Sequence, residues 1–85
     1  MQLILYSRDD CPLCDRLEGL LRPQLETLSK RISEPVELVK RNILDDPQWF
    51  EAYRFRIPVL TFKQRVLIEG RSAEDQIRVV LQELY

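Results

Sequence analysis

The chain contains no histidine and only two cysteines, and these two counts exclude more than any others. A structural zinc site usually draws on four Cys or His ligands, which one copy of this chain cannot supply, so no metal is expected. A disulfide-stapled secreted domain would need more cysteines, spaced widely enough to close long loops. Here Cys11 and Cys14 sit one helical turn apart, and a bridge between them closes too small a loop to staple a fold. Charge of neither sign is in excess: 13 Lys and Arg stand against 14 Asp and Glu, for a net charge of -1. A nucleic-acid surface, which needs clustered positive charge, is therefore not expected. No apolar run approaches the roughly 20 residues of a membrane span, so no membrane partner is expected either. The start, Met1-Gln2-Leu3-Ile4-Leu5-Tyr6, lacks the basic residues, long apolar stretch and small-residue cleavage site of a secretory leader. A cytoplasmic location is the expectation.

What is present suits one domain over residues 1–85, with 45% hydrophobic residues for a core and 32% charged residues to cover it. There is no repeat, linker or low-complexity segment. Leu3 to Ser7 reads as a buried strand running into the polar loop Ser7-Arg8-Asp9-Asp10. Cys11-Pro12 opens a helix, with proline at the first helical position, where its missing N–H costs nothing. Leu13, Leu17, Leu20, Leu21, Leu25, Leu28 and Ile32 recur at helical spacing along one face. Pro23 predicts a kink or break near Leu21 or Arg22. Val36 to Asn42 or Ile43 reads as a second strand, and Asp45-Asp46-Pro47 as the start of a short helix to about Tyr53. Trp49, Phe50 and Tyr53 on it are read as core. Ile57–Phe62 and Val66–Glu69 predict a hairpin joined by Lys63-Gln64-Arg65. Ser72-Ala73-Glu74-Asp75 predicts a capped final helix with Ile77, Val80, Leu81 and Leu84 on one face.

The chemistry concentrates in Cys11-Pro12-Leu13-Cys14, between a strand and a helix. With Cys11 as N-cap, its sulfur faces the free N–H groups of Leu13 and Cys14 and the positive end of the helix dipole. These favour the thiolate, which predicts a pKa below the free value of roughly 8.5. Cys14, one turn on, is within reach for an internal disulfide. The spacing therefore points to thiol–disulfide exchange, in which Cys11 attacks and Cys14 resolves. The competing reading is a pair of buried structural cysteines. Asp9, Asp10 and Asp15 oppose the thiolate by like-charge repulsion, which solvent partly screens if they are exposed, so that the helix terminus is expected to dominate.

Tyr6-Ser7-Arg8-Asp9-Asp10-Cys11-Pro12-Leu13-Cys14 resembles the glutaredoxin active-site segment, commonly Y-S-K-x-x-C-P-Y-C, and Ile57-Pro58-Val59 resembles its T-V-P segment. The β-α-β-α-β-β-α order likewise resembles the α/β thioredoxin fold, a four-stranded mixed sheet with helices on both faces. The resemblance implies Cys11 as nucleophile, Cys14 as resolving thiol and Pro58 as a cis-proline facing them. It also implies that the backbone of Ile57 pairs with a bound thiol peptide, and that Arg8, Leu13, Gly70, Arg71 and Ser72 border the substrate. Arg8 stands at the family's lysine position, where it supports the thiolate, receives a carboxylate, or is only a solvated loop charge.

The sequence departs from that pattern at several places. Leu13 replaces the usual aromatic, and Arg56 stands where threonine commonly precedes V-P. Glu69-Gly70-Arg71-Ser72-Ala73 stands in place of a G-G-x-S-D stretch, losing a glycine and the aspartate that receives the α-amino group of glutathione. The implied activity is reduction of protein or glutathione-mixed disulfides, with no bound cofactor and glutathione as a possible co-substrate. The implied partners are a disulfide-bearing protein or glutathione, and a reductant such as glutathione or a thioredoxin reductase; a monomer is expected. The alternatives are a binding module of the same fold without redox turnover, and a glutaredoxin-type iron–sulfur carrier. Pro12 and Cys14 argue against the carrier.

Overall fold

Alternate residues of the first strand, β1 (Gln2–Ser7), serve two different cores. Leu3 and Leu5 are fully buried in one cluster; Tyr6, with Ile4 packed beside it, belongs to another. Period-2 alternation with both faces apolar is what a central strand covered on both sides requires. The computed structural model describes residues 1–84. Its element order is β1, α1 (Pro12–Ile32), β2 (Glu37–Asn42), a 3-10 turn (Ile43–Asp45), α2 (Pro47–Tyr53), β3 (Val59–Phe62), β4 (Arg65–Glu69) and α3 (Glu74–Glu83).

The four strands form one mixed sheet in the order β2-β1-β3-β4. β1 runs parallel to β2, from Gln2 opposite Glu37 to Ser7 opposite Asn42. It runs antiparallel to β3, with Tyr6 opposite Val59. Leu17, Leu21 and Leu25 of α1 and Ile77 and Leu81 of α3 cover one face; Trp49, Phe50 and Tyr53 of α2 pack with Tyr6, Ile43 and Val59 on the other. This is the thioredoxin fold. The Tyr6 ring stacks on Tyr53 with centroids 4.4 Å apart and meets Trp49 edge-on at 5.9 Å.

Three local expectations are corrected. The helix does not break at Pro23: α1 is continuous over 21 residues. Leu17 and Leu21 before the proline and Leu25 and Leu28 after it are all buried, and their burial outweighs the one lost hydrogen bond. The hairpin turn is two residues, not three, because Arg65 already pairs with Phe62. Lys63 and Gln64 both have positive φ, 50° and 67°, as a mirror-image hairpin turn requires. Finally, α3 is capped at Ala73 rather than Ser72: the Gln76 Oε1 accepts the Ala73 N–H at 3.0 Å, and alanine offers no side-chain cap. The Asp46 cap of α2 is as expected, its Oδ1 accepting the N–H groups of Gln48 and Trp49 at 2.7 and 3.3 Å.

Candidate active site

Where β1 ends, the chain leaves the sheet through Arg8-Asp9-Asp10, all exposed, and enters α1 at Cys11. Asp10 takes a positive φ of 56°, a conformation that short polar side chains tolerate best, and this turns the chain into the helix. Cys11 is the N-cap, with extended backbone, and its Sγ accepts the Cys14 N–H at 3.2 Å. A sulfur therefore does here what a Ser or Asp oxygen usually does at a helix start. The two cysteines are joined as a disulfide with Cα atoms 5.2 Å apart. Their exposures differ: Cys11 is partly accessible, whereas Cys14 is only 3% exposed. Between them Leu13 points outward at 39% exposure.

The Ile57–Pro58 bond is cis, and Pro58 is buried. Because Val59 pairs with Tyr6, β3 begins at the sheet end where β1 finishes, and the cis bond shares that end with the Cys11 loop. The Pro58 carbonyl accepts the Gly70 N–H at 2.8 Å, which brings Gly70-Arg71-Ser72 to the same end. Gly70 has a φ of +67°, a conformation glycine adopts without strain. The expected pairing of Ile57 with a bound peptide is narrowed, because its N–H is already donated to the Tyr53 carbonyl at 3.1 Å.

Two tethers around this end were not legible residue by residue. Arg16, on the first turns of α1, donates to the Ser72 carbonyl at 2.8 Å and ties the cysteine helix to the segment after β4. Arg56 donates from Nε and Nη2 to Glu69 Oε1 at 3.0 and 2.7 Å. This hydrogen bonding holds the Glu69 carboxyl below its ordinary pKa and raises that of Arg56. Both residues are departures from the glutaredoxin pattern, and each is the other's partner.

Arg8 lies apart from that group. It lines an open pocket of about 440 Å³ on the β2 side of the cysteines, with Cys14, Asp9, Asp10, Asp15, Glu18, Lys40 and Asp45. Glu18 sits one turn after Cys14 and meets Lys40 at 2.9 Å and Arg22 at 2.7 Å. Those hydrogen bonds, Lys40 foremost, hold its carboxyl below the ordinary value. The disulfide thus has an acid-rich pocket beside Cys14 and shares its end of the sheet with the cis-proline and the Gly70 turn bonded to it. Among the described residues no group of His, Cys, Asp and Glu could hold a metal ion, and no helix is long and apolar enough to cross a membrane.

The model of the family described as "Glutaredoxin-like domain (DUF836)" matches residues 2–82. The chain belongs to this glutaredoxin-like family. A solved structure, the structural-genomics target XcR50 from X. campestris, is 29% identical to this glutaredoxin-like chain, with a TM-score of 0.72 over 95% of this chain and 96% of that one. Thioredoxin 1 from Thermosipho africanus TCF52B superimposes with a TM-score of 0.56 at 13% identity, covering 99% of this chain and 93% of that one. At that identity it shares with the glutaredoxin-like chain the fold alone.

Proposed function

We propose that the protein is a thiol–disulfide oxidoreductase that reduces protein or glutathione-mixed disulfides through Cys11 and Cys14. The observation that supports this most is the capping geometry: Cys11 Sγ caps the N-terminus of α1 by accepting the Cys14 N–H, with Cys14 buried beside it and bonded to it. In the reduced protein that N–H and the helix dipole favour the Cys11 thiolate. That thiolate attacks one sulfur of a substrate R–S–S–R′, forming a Cys11–S–S–R mixed disulfide and expelling R′S⁻. The Cys14 thiol loses its proton and attacks the Cys11 sulfur, closing the internal disulfide and expelling RS⁻. Two electrons pass from the dithiol to the substrate, whose two thiolates take up two protons. Glutathione, or a reductase-driven dithiol, returns the two electrons and resets the site.

The chemistry needs neither a bound cofactor nor a metal, and it suits a reducing compartment such as the cytoplasm and a monomeric protein. Arg71, Gly70, Ser72, Leu13, Ile57 and Pro58 border the substrate on the side of the cis-proline. Arg8 borders it on the acid-rich side. The experiment is reduction of insulin and of a glutathione mixed disulfide, run in parallel with glutathione and with a thioredoxin reductase as the electron source. Turnover with either source, lost in Cys11→Ser, supports the reading. No turnover with both sources would favour a binding module that merely retains the cysteines.

A further inference from the structure

The turn before the cis-proline carries a feature that neither packing nor the exchange chemistry uses. Phe55 is 86% exposed, far more than any other large apolar side chain among the described residues. Its backbone is nonetheless ordered. The flanking N–H groups of Arg54, Arg56 and Ile57 are donated to Phe50, Tyr53 and Tyr53 at 3.0, 2.8 and 3.1 Å. The ring is therefore held out into solvent from a fixed turn, two residues before the cis bond and at the sheet end that carries Cys11.

The Arg54 guanidinium lies over this ring at 4.5 Å and over Phe50 at 5.5 Å, and it takes part in none of the ion pairs among the described residues. Arg56, by contrast, is already neutralised by Glu69. The pocket beside Cys14 carries an excess of carboxylates, Asp9, Asp10, Asp15, Glu18 and Asp45 against Arg8 and the Glu18-bonded Lys40. An incoming chain thus meets an apolar ring with an unpaired cation on one side and carboxylates on the other.

We propose that Phe55 and Arg54 form a docking lip for disulfides carried on a polypeptide, with an apolar side chain and a carboxylate next to the cysteine. The inference rests on the redox reading above and names its substrate class. A ring left 86% exposed, with the Arg54 guanidinium over it, gains from being covered further, and a peptide side chain can cover it. Glutathione has carboxylates but no apolar side chain, so it engages only half of the lip. Carboxylate attraction to Arg54 and repulsion from the acid-rich side both fix the same polarity of binding.

The test uses pre-reduced protein and four thiols, each as its mixed disulfide with 2-nitro-5-thiobenzoate: an Asp-Leu-Cys peptide, a Lys-Leu-Cys peptide, glutathione and 2-mercaptoethanol. The rate of nitrothiobenzoate release reports attack by Cys11, and needs no reductase. The acidic peptide should react about three- to fivefold faster than the basic one, the size expected of exposed charge pairs. Phe55→Ser should slow both peptides about tenfold while leaving the 2-mercaptoethanol disulfide unchanged, and Phe55→Leu should keep most of the peptide rate. Arg54→Gln should remove the discrimination between the two peptides. Equal peptide rates in the unmodified protein, a fastest rate with glutathione, or an equal slowing of all four by Phe55→Ser would overturn the docking lip. If even the 2-mercaptoethanol disulfide reacts no faster than with Cys11→Ser, the redox reading itself fails and takes the lip with it.

Discussion

At the scale of single residues, the two cysteines are chemically similar but placed differently, and the difference is measurable. Cys11 is partly accessible at a helix N-terminus, and Cys14 is buried one turn inside. In the reduced protein, iodoacetamide under limiting conditions should therefore label Cys11 first, read by peptide mass spectrometry; preferential labelling of Cys14 would reverse the two roles. Glu18 gives a second prediction, on stability. Its folded pKa lies below the ordinary value of 4.5 because Lys40 and Arg22 bond to its charged form. Its contribution is thus fully present above that value and is lost as pH falls through the lower, folded one. Glu18→Gln should lower stability at pH 7 by less than about 1 kcal/mol, as partly exposed pairs do, and the gap should close in acid. A gap that persists unchanged in acid would mean that packing, not charge, is at work. The cysteine pair was legible in the sequence because its chemistry lies within one turn. The Arg56–Glu69 pair was not, because nothing local signals a bond between a turn and a strand end 13 residues away.

At the scale of elements, two segments run against their local preferences. Pro23 sits exposed inside a continuous helix, held by the buried leucines on either side of it. Pro23→Ala restores a backbone donor and should raise stability by roughly 1–3 kcal/mol in a denaturant titration. A fall in stability would mean that the proline shapes the helix to the sheet. The β3–β4 turn places Lys63 and Gln64 at φ values of 50° and 67°, where side-chain-bearing residues are penalised. Replacing them by Asn-Gly should add about 1 kcal/mol, without altering disulfide exchange. These are also the places where the expected break and the expected three-residue connection gave way. Helix propensity and turn statistics are local, whereas the register of Phe62 with Arg65 and the shared burial of Leu21 and Leu25 are tertiary. The helix starts at Cys11 and Asp46 were legible because a cap and a following proline act within four residues.

At the scale of the whole molecule, the sheet order brings three distant segments to one end: the Cys11 loop, the cis Ile57–Pro58 bond and the Gly70 turn. The apolar run of β1 and the leucine spacing of α1 made the architecture readable, since each holds over the whole element. The cis bond was readable only through resemblance, because its composition is that of any proline opening a strand. Convergence at one end is what makes the cysteine pair a site rather than a local bridge, and it supports the central claim that Cys11 exchanges with an outside disulfide. The most direct measurement incubates Cys14→Ser protein with insulin, resolves the products without reductant and locates the linkage by mass spectrometry. A stable mixed disulfide between Cys11 and an insulin chain is expected, absent from the Cys11→Ser protein. A Cys14→Ser protein that forms no such adduct, while Cys11→Ser still reduces insulin, would contradict it.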